Sequence, residues 1–168
     1  MCGTPEASRD SAISRGRLPP HWTGPTPSYS LRAPAGGTGW DKTIMVDLWG
    51  AKRAVDACAE QGVDRFVMVS SRGADDPQAG REPLRPYLVA KHFADRYLQQ
   101  SGLAETVLRP TRLTDEPGTG RVATDDGDAI SRADVAQAVV ACLSDETTVG
   151  RAIDLYGGDT PIEDALRR

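Results

Sequence analysis

Tyr87 and Lys91 stand four residues apart in PLRPYLVAKHFADRYLQQSG, residues 83–102, a stretch with helical spacing. Four residues make about one helical turn, so both side chains leave the same face. A free tyrosine ionises near pH 10, too high for ready proton exchange at neutral pH. An ammonium one turn away favours the phenolate and moves that pKa toward working pH, which makes the pair a candidate general acid/base. Upstream, FVMVSS puts Ser70 and Ser71 at the end of a short apolar run. Open α/β sheets bind ligands at the carboxyl ends of their strands, and a hydroxyl there can hold a carbonyl or alcohol beside the tyrosine. The Tyr–Lys spacing alone also describes an ordinary helix surface. The order strand, serine, loop, Tyr–Lys helix, strand is what makes it a candidate site.

Those residues need a scaffold, and the sequence from Gly39 onward supplies one. Ile44, Leu48, Ala51, Val55 and Cys58 recur at helical spacing, with Gly62 as a stop. DRFVMVSS predicts a buried strand over residues 64–70, and AETVLRP a second one closed by Pro110. The Tyr–Lys helix fills 84–101 between them, and TRLTDEPGTGRVATDDGDA reads as a long loop of the kind that covers a site. Ser131 caps a helix from Arg132 to about Ser144 with Val135, Ala138, Val139 and Cys142 facing inward. RAIDLYG predicts a third strand, and TPIEDALRR a closing helix with Thr160 as cap and Pro161 at its first position. This alternation predicts an α/β fold of right-handed crossovers over a parallel sheet.

Residues 1–35 differ in kind. They are rich in Pro, Ser and Arg, their few apolar residues follow neither period, and six prolines interrupt any helix. Such a segment buries too little apolar surface to offset its chain entropy and is expected to be disordered. The domain is then residues 36–168.

Composition narrows the function. The chain has 168 residues, a net charge of −4, no asparagine and no apolar run of membrane-spanning length. Nucleic acid and acidic lipid are therefore disfavoured as partners, and a cytoplasmic location is expected. Cys2, Cys58 and Cys142 are too widely spaced for a zinc site or a disulfide framework. GTGRVA at 118–123 matches Gly-x-Gly-x-x-Ala, but no strand precedes it and no helix follows, so it reads as a plain loop. His21 and His92 are isolated, and Asp125, Asp126 and Asp128 read as a solvated loop cluster.

VDLWGAKRAVDACAEQGVDRFVMVSSRGADDP, YLVAKHFADRYLQQSGLAETVLRPTRLTDEPGTG, ISRADVAQAVVACL and GGDTPIEDAL, in this order, resemble the later two thirds of an atypical short-chain dehydrogenase/reductase. The resemblance is closest to its small NAD(P)H-binding, epimerase-like group. It implies a partial Rossmann-like three-layer fold that lacks its N-terminal strands, with NADP or NAD as cofactor and a small molecule as substrate. Tyr87 would be the acid/base, Lys91 would hold the nicotinamide ribose, and Ser71 would orient the substrate. Ser70, Pro110, Thr111 and Leu113 would line the nicotinamide side. Asp47 stands where many relatives carry Asn, so the four-member Asn-Ser-Tyr-Lys relay is not available.

The family's Gly-x-x-Gly-x-x-Gly turn is missing from this chain. The resemblance therefore implies impaired cofactor binding and low stability, with a sheet edge open to a second copy or another partner. Two other readings stay open: a non-catalytic nucleotide-sensing or interaction protein, and a nonfunctional fragment.

Overall fold

The computed structural model describes residues 28–30 and 39–167. The expectation of disorder over 1–35 lies outside these residues except at β1 (Ser28–Ser30), which departs from it by forming a short strand. A helical run follows, comprising α1 (Trp40–Lys42), a π-helical stretch (Thr43–Gly50) and α2 (Ala51–Glu60). After it come β2 (Arg65–Val69), α3 (Arg85–Gln99), β3 (Ala104–Pro110), β4 (Leu113–Thr114), β5 (Arg121–Ala123) and β6 (Ile130–Ser131). The chain closes with α4 (Arg132–Ser144), β7 (Arg151–Gly157), β8 (Thr160–Pro161) and α5 (Ile162–Leu166).

The main sheet runs β1-β2-β3-β7-β5-β8. Its first four strands are parallel, and β5 is antiparallel to β7 and β8. The fold class is as expected, but the sheet is mixed and has more than three strands. β1 pairs along the edge of β2 that was expected to be open, with Ser28 opposite Phe66. The long loop 111–129 is also more ordered than its composition suggests, since β4 and β5 lie within it.

The alternation along β2 and β3 sorts the core into two layers. Phe66, Met68 and Val107 pack with Val55, Cys58, Ala94 and Leu98 of α2 and α3. Val67, Leu108, Ile153 and Leu155 point the other way onto Val135, Ala138, Val139 and Cys142 of α4, with Ile162, Ala165 and Leu166 of α5. Strands buried on both faces read as unbroken apolar runs, which is why FVMV and TVL were legible.

Two helix details differ from the sequence pattern. Ser131 caps α4 as expected, its hydroxyl accepting from Asp134 N, but α5 takes Pro161 as its N-cap while Thr160 lies in β8. Ile44 is 54% exposed, whereas Thr43 and Asp47 are buried. A π-helical turn holds more residues than an α-turn, so the inward face shifts by one position before α2. That shift turns Asp47 toward α3.

Arg65 is 5% exposed and pins the layers together. Its guanidinium donates to Ala104 O at 2.7 Å, Thr106 Oγ1 at 2.8 Å, Cys142 O at 2.7 Å and Thr148 Oγ1 at 2.9 Å. Cys142 O belongs to the last turn of α4, where carbonyls lack helical partners and attract cations.

Candidate active site

β2 ends at Val69, and the backbone then holds Ser70 N on Leu108 O at 2.7 Å and Arg72 N on Pro110 O at 3.0 Å. These bonds fix Ser70 and Ser71 at the carboxyl end of the parallel sheet, the position where such sheets form ligand crevices. α3 begins with Arg85 and Pro86, a proline placed where its missing N–H costs nothing, and presents Tyr87 and Lys91 to the same end. His92 is half-buried on α3, and its Nδ1 donates to Ala74 O at 2.7 Å, tying the loop after β2 to the helix. A carbonyl can only accept, so this bond requires the proton on Nδ1.

Lys91 is 5% exposed, with Nζ 3.2 Å from Val69 O and 3.1 Å from Asp47 Oδ1. The Tyr87 ring centroid lies 5.8 Å from the same nitrogen. Asp47 is 2% exposed, and burial raises its pKa, with Lys91 acting in the opposite direction. A second buried pair lies further along α3, where Arg109 Nε is 3.0 Å from Asp95 Oδ2. Burial raises the Asp95 pKa, and nearby Ser70 and Arg109 moderate the rise. Ser70 Oγ is close to that carboxylate yet has no hydrogen-bond partner among the described residues.

Tyr87 departs from the expected behaviour. Its pKa is pushed up to about 12, first by burial and then by the Asp47 carboxylate, while the Ser71 hydroxyl acts the other way and Asp95 adds to the rise. The expected lowering by Lys91 is not seen; the ammonium is paired with Asp47.

Ser70, Ser71, Tyr87, Lys91, Pro110, Thr111 and Leu113, the candidate catalytic and cofactor-lining residues, line a single cavity of about 240 Å³, whereas Asp47 does not. Ser71, Tyr87 and Lys91 form its polar wall, and Ser70, Pro110, Thr111 and Leu113 complete the strand-end side. Arg132, Val135 and Ala136 close it from α4 and were not foreseen. Arg132 carries an exposed ion pair to Asp115, with Nε 2.8 Å from Oδ1. Its position directly after the Ser131 cap was the one signal that could have placed it, since helix starts after sheet strands open onto the ligand side.

The cavity fits the nicotinamide end of a dinucleotide. It offers an orphaned buried hydroxyl at Ser70, an ammonium at Lys91 and a proton donor at Tyr87. The Gly118–Gly120 loop is filled by its own chain, because Thr119 N and Gly120 N donate to the Asp134 carboxylate at 2.9 and 2.7 Å. Rejecting GTGRVA as a dinucleotide turn thus agrees with the geometry. Among the described residues no acidic, His or Cys cluster could hold a metal ion, and no helix is long and apolar enough to cross a membrane.

The parallel order of β2, β3 and β7, with Ser70 and Ser71 at a strand end and Tyr87 and Lys91 on the adjoining helix, is that of a Rossmann-type α/β protein. The family model described as NAD(P)H-binding matches residues 30–146, and the chain belongs to that family. It is 48% identical over 136 residues to an uncharacterized sugar epimerase of Bacillus subtilis, covering 79% of this chain and 64% of that protein. It is 35% identical over 122 residues to sanguinarine reductase of Eschscholzia californica, covering 66% of this chain and 45% of the reductase. A solved structure of a putative NAD-dependent epimerase/dehydratase from Bacillus halodurans superposes with a TM-score of 0.78 at 37% identity, over 82% of this chain and 67% of that one. The chain thus spans less than two thirds of the length of the Bacillus subtilis relative.

Proposed function

We propose that this chain carries the proton-transfer half of a nicotinamide-dependent oxidoreductase or epimerase-like enzyme acting on a small carbonyl or alcohol compound. One observation carries the reading: the three residues able to hold and protonate such a group share one strand-end cavity. Hydride chemistry at the carbonyl carbon would be supplied by a reduced nicotinamide when one is bound. Ser71 orients the carbonyl, and Tyr87 gives up its Oη–H proton to the carbonyl oxygen as the alcohol forms; solvent then returns a proton to the phenolate. Lys91 keeps one side toward the cavity, where a ribose hydroxyl can meet it.

We also propose that the chain holds this cofactor weakly. No Gly-x-x-Gly-x-x-Gly occurs anywhere in the 168 residues, and the helix-capped glycine turn is what normally seats a pyrophosphate. Calorimetric titration with NADPH and with NADH tests both statements. Saturation only at millimolar concentrations is expected, and submicromolar binding would overturn the weak-cofactor reading. With cofactor at saturation, Tyr87→Phe should remove turnover while leaving nucleotide affinity within about twofold. Undiminished turnover in that variant would remove Tyr87 from the reaction.

A further inference from the structure

The π-helical stretch places a carboxylate where its effect on the site is large. Asp47 is buried against Lys91, whose ammonium lies 3.1 Å from Oδ1, and no other donor among the described residues reaches either of its oxygens. Lys91 is committed in turn to Asp47 and to Val69 O. The cationic residue of the Tyr–Lys pair therefore reaches Tyr87 as half of a neutral pair.

We propose that Asp47 is a positioning residue that, by neutralising Lys91, holds Tyr87 in its protonated form and sets the site to donate a proton to a carbonyl instead of withdrawing one from an alcohol. This rests on the oxidoreductase reading above and adds the direction in which the site is poised. The groups facing Tyr87 act consistently. From the π-helical stretch Asp47 opposes the phenolate, from α3 Asp95 does so more weakly, and Asp95 is itself paired with Arg109. From the loop after β2, Ser71 favours the phenolate. Arg132 of α4 lines the same cavity with its charge directed to Asp115. An Asn in place of Asp47 would keep the shape and leave the Lys91 charge uncompensated beside the phenol, which favours ionisation.

The test needs neither substrate nor cofactor. Tyrosine labelled with carbon-13 at Cζ reports each phenol by NMR, and Tyr87→Phe assigns the Tyr87 signal. In the unmodified chain that signal should stay unionised up to the alkaline limit of folding. In Asp47→Asn its titration midpoint should fall by about one pH unit or more. An unchanged midpoint would overturn the proposal. Should Asp47→Asn fail to fold, Asp47→Ser removes the same charge and the same two outcomes decide. A shifted midpoint supports the role of Asp47 even where no hydride transfer is found, so failure of the oxidoreductase reading is seen separately, in turnover and nucleotide titration.

Discussion

Arg65 and Lys91 are both 5% exposed, yet the protein uses the two buried cations differently. Arg65 has no ion-pair partner among the described residues and is satisfied by neutral acceptors: two carbonyls and two threonine hydroxyls at 2.7–2.9 Å. Those acceptors come from β3, the end of α4 and the turn that follows, so the guanidinium fork works as a tie between layers. Lys91 meets one carbonyl and one carboxylate, and it borders a cavity. A cation saturated by neutral groups serves the fold. A cation left with a free direction toward a cavity, and balanced by an under-bonded carboxylate, is arranged for a ligand or a proton.

Breaking the tie should have the larger effect on stability. Arg65→Met removes several charge-assisted hydrogen bonds and leaves the Cys142 carbonyl and the Thr148 hydroxyl with only longer, neutral donors at 3.3–3.4 Å. Urea unfolding should show a loss of about 3 kcal/mol. A loss below about 1 kcal/mol would mean that the fork is not what joins β3 to α4.

Lys91→Met should cost less, with a cost that depends on pH. Burial already holds Asp47 above the usual carboxylate range. A carboxyl with a raised folded pKa binds more protons folded than unfolded between its two pKa values, so stability falls as pH rises through that window. Without Lys91 the Asp47 pKa rises further and the window widens. The variant should match the parent near pH 4 and fall behind by about 2 kcal/mol at pH 8. A cost independent of pH would detach Asp47 from Lys91.

The same contrast separates what could be read from the sequence from what could not. β2 and β3 were legible as unbroken apolar runs, and α3 and α4 by their helical spacing and caps, and these elements bring Ser70, Ser71, Tyr87, Lys91, Pro110, Thr111 and Leu113 to one cavity. The contacts that set the electrostatics were not legible, although the resemblance had marked Asp47 as standing in the place of the relay Asn. Asp47 sits in a run whose apolar residues, Ile44 and Leu48, point to a different inner face, and only the wide π-turn reverses that choice. Arg65 has no role that the sequence could assign, because nothing local shows that four acceptors from distant segments converge on it. The rise of Tyr87 follows from the same gap: a one-turn spacing gives the ammonium, while its neutralising carboxylate lies forty residues upstream. The short strands β5 and β8 escaped because two or three residues carry no period.

The smallest effect is expected at Asp134, a buried carboxylate of opposite sign to Asp47 in its pH behaviour. Burial works to raise its pKa, but the amides of Thr119 and Gly120 and the hydroxyl of Ser131 outweigh it, and the pKa is lowered. A depressed folded pKa means stability that is present above the usual aspartate range and lost as pH falls through the folded value. Asn in this position keeps one acceptor oxygen for Gly120 N and loses the charge at the start of α4, so Asp134→Asn should cost about 1 kcal/mol at pH 7. The deficit should shrink below pH 4, where the parent carboxyl also takes up a proton. Amide hydrogen exchange is the sharper readout, since Thr119 and Gly120 should exchange faster while Val107 and Leu108 in the central strand stay protected. Equal exchange at Thr119 and Gly120 would show that the loop keeps its shape without the carboxylate, and that the glycine turn owes nothing to the anion inside it.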